Sequence, residues 1–248
     1  MIRVTGGTFM MGASDSDNEA YNNERPAHQV TLSSYYIGQT EVTQELWQAL
    51  MGENPSYFVE KEIFIDWGEH WGDYIIYSEN FQRPVEQVTW DDCQEFVDVL
   101  RLMTNKHFRL PTEAEWEFAA RGGNKCQGYK YAGSNNIDAV ACYGGREEDW
   151  THAISATPPD SVAIKFPNEL GLYDMSGNVE EWCQDWYGNY SAEAQINPIG
   201  PASGSSRVCR GGSICNVARA CRTTKRSSTP TNHGSQYIGL RLVMTLDE

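Results

Sequence analysis

Arg109-Leu110-Pro111-Thr112-Glu113-Ala114-Glu115-Trp116-Glu117-Phe118-Ala119-Ala120-Arg121-Gly122-Gly123 is the stretch on which the reading of the fold turns. Thr112 has the hydroxyl of a helix N-cap, and Glu115, three residues on, completes a capping box. Gly122-Gly123 stops the helix. Two more helices read from apolar spacing. Glu41 to Met51 places Val42, Leu46, Trp47 and Leu50 on one face before Gly52. Asp91 to Met103 does the same with Cys93, Phe96, Val97, Leu100 and Met103. Beyond Gly122 the pattern changes. Gly, Pro, Asn and Ser recur every few residues with short apolar runs between, which predicts short strands and long irregular loops. No repeat and no linker appears, so residues 1–248 read as one domain.

Composition narrows the function. The chain has 248 residues, 40% of them hydrophobic and 21% charged, an ordinary globular balance. Its net charge of −15 excludes a general nucleic-acid binder, which needs a basic surface for phosphates. The charge is also segregated. No Asp or Glu lies between Glu193 and Asp247, a span holding Arg207, Arg210, Arg219, Arg222, Lys225, Arg226 and Arg241. Such a cluster reads first as arginines paired with acids elsewhere in the fold.

No run approaches the ~18 apolar residues of a membrane span. Met1 to Gly7 does not read as a signal peptide, so a cell-surface or extracellular place requires a signal or lipid anchor since removed. The 7 cysteines include no CxxC pair, which excludes a zinc ribbon and leaves buried thiols. His28, His70, His107, His152 and His233 form no short pair beside an acid, against an iron site. There is no P-loop and no Gly-x-Ser-x-Gly. Residues 59–82 stand out as an insertion with Phe64, Trp67, Trp71, Tyr74, Tyr77 and Phe81 among acids, read as a cover over the core or a partner-binding segment.

Several motifs share one order with a known family. They are Gly6-Gly7-Thr8-Phe9-Met10-Met11-Gly12, Glu24-Arg25-Pro26-Ala27-His28, Glu41-Val42-Thr43 and Pro84-Val85-Glu86-Gln87-Val88-Thr89-Trp90. The 109–123 stretch, Gly171-Leu172-Tyr173-Asp174-Met175-Ser176-Gly177-Asn178-Val179-Glu180-Glu181-Trp182, Arg210-Gly211-Gly212-Ser213 and Gly239-Leu240-Arg241-Leu242-Val243 complete the set. Together they resemble the formylglycine-generating enzyme/sulfatase-modifying factor family over nearly the whole chain. The resemblance implies an α+β fold, a C-type-lectin variant with few helices, a small antiparallel sheet and much irregular chain. Arg109, Arg121 and Arg241 would then be internal forks holding carbonyls or carboxylates. The resemblance also implies a structural calcium held by Asp174, Gly177, Val179 and Glu181. Two carboxylate-type side chains and two backbone carbonyls suit a hard cation, while an ordinary turn built on Asp174 is the plainer alternative.

The family's oxidases resemble one another in a cysteine pair that converts a sulfatase cysteine to formylglycine with copper. Counted from Gly211, the pair falls at Asn216 and Cys221, so one thiolate is missing and Cys215 is one residue out of register. Glu180 stands where the oxidases carry Trp. No catalytic residue or catalytic cofactor is therefore expected.

The tail between family-fixed positions consists of Ile214, Cys215, Asn216, Val217, Arg219, Ala220, Ser227, Ser228, Thr229, Thr231, Asn232, His233, Ser235 and Tyr237, in no hydrophobic period. This resembles the variable region of diversity-generating retroelement proteins, treponemal ones in particular, where adenine-directed mutagenesis of Asn-type codons yields such residues but not Trp, Met or Glu. Residues 214–237 contain none of those three, although Lys225 and Gln236 need another codon. The resemblance implies a ligand-binding display surface for a protein or other ligand. Cys215, Val217 and Ala220 are expected to be the tucked-in members. The alternative is the copper-dependent oxidase, with Cys215 and Cys221 as its pair.

Overall fold

The structure is a computed structural model. It describes residues 1–59, 80–144 and 158–246, and the backbone of 62–64 and 74–76. Most of the 59–82 insertion, including both its tryptophans, lies outside the described residues; within it β5 (Glu62–Phe64) pairs antiparallel with β6 (Tyr74–Ile76).

Three small sheets surround one central helix. In the first, β1 (Ile2–Val4), β4 (Tyr35–Ile37), β13 (Val243–Thr245) and β7 (Phe108–Arg109) lie side by side, so the chain ends close together. In the second, β2 (Gly7–Met11), β3 (His28–Leu32) and β9 (Gln195–Ile196) form a ribbon. The third runs β11 (Arg226–Thr229), β10 (Arg207–Arg210), β8 (Glu180–Trp186) and β12 (Ile238–Gly239) and carries the tail. With few helices and small sheets, the architecture is the expected lectin-like α+β fold.

The central helix α3 (Glu113–Ala120) begins as its sequence predicts. Thr112 Oγ1 accepts from Glu115 N, and the Glu115 carboxylate accepts from Thr112 N. All eight of its residues are buried, including three glutamates. α2 (Trp90–Thr104) matches the expected helix within a residue at each end and stacks Phe96 on Trp47 of α1 (Gln44–Met51). α1 is a correction: it starts at Gln44, not Glu41. Val42 is apolar on the helical period, but its backbone pairs with Leu240 O and Val85 N, so it is extended.

The segregated charge is accounted for by long-range pairing. Arg226 forks onto Glu113 (2.6 and 2.8 Å), Arg222 onto Glu24 (2.7 and 2.8 Å) and Arg241 onto Glu181 (2.6 and 3.0 Å). Arg210 pairs with Glu117. All four arginines are buried. Arg109 and Arg121 extend the set, holding Glu115 and Glu117. Arg207 lies between the rings of Trp90 and Trp186, 3.9 and 3.5 Å from their centroids. A buried charge stripped of its partner is costly, so each pair ties the tail firmly to the acidic remainder of the chain.

Candidate functional site

Residues 214–237 leave β10 through two strained glycines. Gly211 and Gly212 have φ of +100° and +71°, which only glycine adopts without strain. A Cβ on Gly212 would lie 2.7 Å from Ala220 O and 2.9 Å from Cys221 Sγ. The next four residues close a turn. Asn216 Oδ1 accepts from Ser213 N (2.9 Å) and from Ser213 Oγ (3.0 Å). The residue in the register of a catalytic thiol is therefore a turn clamp.

The turn decides which side chains face out. Ile214 is the one member of the proposed binding set that is buried (7% exposed), and Cys215 beside it is exposed. This corrects the expectation that Cys215 is tucked in: consecutive side chains leave the turn on opposite sides, and the larger apolar one takes the interior. Val217 and Ala220 are half-buried. A short 3-10 turn, Ala218–Cys221, then carries Cys221 into the core beside Tyr131 and Val140. Burial pushes the Cys221 thiol far up, and Glu180 and Cys215 add to the effect. That environment opposes the thiolate a metal or an oxidase needs.

The rest of the segment is pinned by its backbone and open at its side chains. Trp90 N donates to Thr231 O, Gln87 N to Ser235 O and Glu180 N to Tyr237 O. Ser228, Asn232 and His233 are exposed; Asn216, Ser227, Thr229, Thr231, Ser235 and Tyr237 are half-buried. Cys215 and Ser227 gather around Glu180, whose carboxylate accepts from Ser227 Oγ at 2.8 Å, and the Glu180 backbone N–H donates to Tyr237 O. Burial raises the Glu180 carboxyl, against the Ser227 hydrogen bond. Arg219 is not part of this group. It donates to Glu19 O and lies 4.1 Å from the Tyr21 ring centroid, clamped by the N-terminal loop. Sequence reasoning noted Glu180 only as a departure from Trp; it missed Tyr57 and Phe58, which approach Tyr237. No local pattern marks those two.

Asp174, Gly177, Val179 and Glu181 are all buried, the first three in the turn that leads into β8 and Glu181 on that strand. Gly177 has φ +84°, and a Cβ there would meet Cys142 O at 2.1 Å. Asp174 Oδ2 accepts from Ala163 N, but its buried Oδ1 has no partner among the described residues. Glu181 is engaged by Arg241 and by Trp116 Nε1. Glu41 lies beside them, held by Asn178 and Val179 N; burial, then Asp174 and Glu181, push its carboxyl well up. Among the described residues no group of three or more His, Cys, Asp or Glu side chains is placed to hold a metal. Of the two acids in the expected set, Glu181 is already taken by Arg241 and Trp116, and Asp174 Oδ1 alone is left without a partner among the described residues.

Known proteins share the family motifs and the fold. The family profile described as Sulfatase-modifying factor enzyme 1-like domain matches residues 1–246. The chain is similar to the "Chaperone protein LppX" of Paenibacillus barcinonensis (34% identical, covering 75% of this chain and 71% of that one). It is similar also to the formylglycine-generating enzyme of Streptomyces coelicolor (30% identical, covering 99% and 89%). Among solved structures it matches Treponema denticola variable protein 1 with a TM-score of 0.82 at 32% identity, over 99% of this chain and 95% of that one. The chain belongs to the formylglycine-generating enzyme/sulfatase-modifying factor family.

Proposed function

We propose that this family member is a non-enzymatic ligand-binding display protein, with 214–237 as a diversified surface on a lectin-type scaffold. The observation that carries the reading is the fate of the cysteine pair: Asn216 clamps a turn and Cys221 is a core thiol. Around them lie small, polar and aromatic side chains on a pinned backbone, the arrangement that tolerates exchange at exposed positions. The similarity to the Treponema denticola variable protein supports the same reading. The ligand is a protein or other molecule met at the cell surface or outside the cell.

The alternative is a copper-dependent formylglycine-generating oxidase. The enzyme relatives and the position of Ser213 Oγ, 3.1 Å from Cys215 Sγ, favour it. Titration with Cu(I) separates the two. Display predicts no tight copper site and a library at the exposed Ser228, Asn232 and His233 that stays folded. Tight Cu(I) binding lost in Cys221→Ser would establish the oxidase instead. We propose further that a structural calcium sits at Asp174, Gly177, Val179 and Glu181. Chelation should then lower the melting temperature; an unchanged melt in EDTA, with no calcium bound by the protein as isolated, would remove it.

A further inference from the structure

A cavity of about 270 Å³ lies between α3, β11 and the loop after β8, away from the Glu180 group. Trp186, Tyr190, Pro198 and Pro201 line it as flat or apolar walls. Glu113 and Asp185 supply its acids. Glu113 is fully engaged, accepting from Arg226 at 2.6 and 2.8 Å and from Tyr190 OH at 3.0 Å. The remaining Arg226 nitrogen donates to Asn23 O and Gly188 O. Asp185 differs. It is 4% exposed, and its Oδ2 accepts from Glu113 N at 2.8 Å. Its Oδ1 receives no hydrogen bond among the described residues.

Gly200 closes the opposite side of this acid. Its φ is +74°, and a Cβ there would lie 2.8 Å from Asp185 Cβ and 3.1 Å from Oδ1. Backbone thus packs against the acid from the loop side. The cavity holds a buried acceptor, aromatic rings and no spare cation. His28, also in the wall, directs Nδ1 to Pro26 O.

We propose that this cavity binds a small organic cation, an ammonium or guanidinium on a flat or apolar body, with Asp185 Oδ1 as its acceptor. A charge-assisted hydrogen bond fixes the cationic group; Arg207 and Arg226 already lie 3.5 and 3.9 Å from the Trp186 and Tyr190 ring centroids, so these rings serve as flat walls for the ligand's body. The cavity is concave, with polar and apolar lining in nearly equal share, and Asn189, Ser191 and Gln195 offer further polar groups beside the acid. The surrounding charges agree. Burial, then Glu113 and Glu115 of α3, push the Asp185 carboxyl up to about 8, against the Glu113 N–H and Arg226 of β11. Arg207 of β10 and Arg109 of β7 are the other cations within reach. A bound cation would ionise the acid, so binding near pH 7 releases a proton.

Calorimetry with benzylamine, agmatine and the neutral benzyl alcohol tests this in the full chain. The site predicts saturable binding of at least one of the two cations and none of the alcohol. Enthalpies in phosphate and Tris should differ by the release of about one proton per ligand. Asp185→Asn should weaken binding by about tenfold or more and abolish the proton release. The proton count is read on the unaltered protein, so it stands even if that variant does not fold. Failure of both cations to saturate by about 10 mM, equal binding of the alcohol, or binding without proton release would overturn the proposal.

Discussion

Arg222→Met is the sharpest test of how the tail is held. Arg222 lies between the two groups of variable-looking residues and forks onto Glu24, 198 positions earlier, at 2.7 and 2.8 Å. Both side chains are buried. Methionine keeps much of the stem's volume but leaves Glu24 with only Thr224 Oγ1 (2.7 Å) and Tyr21 N (3.2 Å). Removing one member of a buried pair costs about 3–5 kcal/mol. In a chain of this size each kcal/mol moves the melting temperature by about 2–4 °C, so the variant should melt roughly 6–20 °C lower at pH 7. Burial pushes the Glu24 carboxyl up, but Arg222 and Thr224 outweigh it and hold the group below its ordinary value. The stability this pair lends is therefore present above the unfolded value of 4.5 and fades as pH falls through the lower folded value. In the variant the acid has lost its cation, so the deficit should shrink toward low pH, where Glu24 is neutral. Melts followed by circular dichroism at pH 7 and pH 4 measure both effects, and adding Glu24→Gln should recover part of the loss. A shift under about 2 °C at pH 7, or a deficit that grows on acidification, would refute the reasoning. Ser228→Ala, Asn232→Ala and His233→Ala should each stay within about 0.5 kcal/mol.

Three further outcomes follow from the same geometry. A maleimide should label Cys126 and Cys215 in the folded protein, while Cys93, Cys142, Cys183, Cys209 and Cys221 react only on unfolding, as read by intact mass. Gly212→Ala should destabilise by about 1–3 kcal/mol in urea, because its φ of +71° and its 2.7 Å approach to Ala220 O leave a methyl no place. Burial pushes the Glu86 carboxyl up to about 7, against the hydrogen bonds it accepts from Phe58 N and Tyr57 N. Its contribution is then fully present below 4.5 and lost as pH rises through about 7, at most about 3 kcal/mol by linkage; Glu86→Gln should flatten that part of the stability profile.

The sequence made some of this legible and hid the rest for physical reasons. Thr112 and Glu115 were readable because a capping box is local: donor, acceptor and spacing all lie within four residues. The start of α1 was not, because Val42 has helical spacing while its backbone is claimed by Leu240 and Val85, far away in the chain. Cys215 and Ile214 show the same limit on a smaller scale. Polarity alone does not say which of two neighbours faces in when an Asn216 clamp sets the turn. The charge segregation announced that the tail's arginines pair elsewhere, but not that Arg226 selects Glu113 or that Arg207 selects two tryptophan faces. That Asn216 stands in the register of the family's thiol was readable residue by residue, since register from Gly211 is a matter of counting. The Glu180 group was not, since it joins segments far apart in the chain that only the pairing of β8, β10 and β11 brings together.

The lack of acid between residues 194 and 246 bears on how such a segment can change and still fold. Each buried arginine in it pairs with a carboxylate outside it, at Glu24, Glu113, Glu117 or Glu181. The ion pairs that hold the scaffold are thus independent of what stands at the exposed positions between them. A carboxylate placed inside the segment would break that independence by competing for an arginine or by facing Glu180. Ser227 is where this is most direct, since its hydroxyl donates to Glu180 at 2.8 Å. Ser227→Asn retains a donor, whereas Ser227→Asp sets a second carboxylate against the first. The Asp variant should therefore be less stable than the Asn variant by about 1–3 kcal/mol at pH 7. That gap should close on acidification, as one of the two acids takes up a proton. Equal stabilities at pH 7 would mean that Glu180 is already neutralised there, and the acid-free tail would then have no role in keeping its arginines correctly paired.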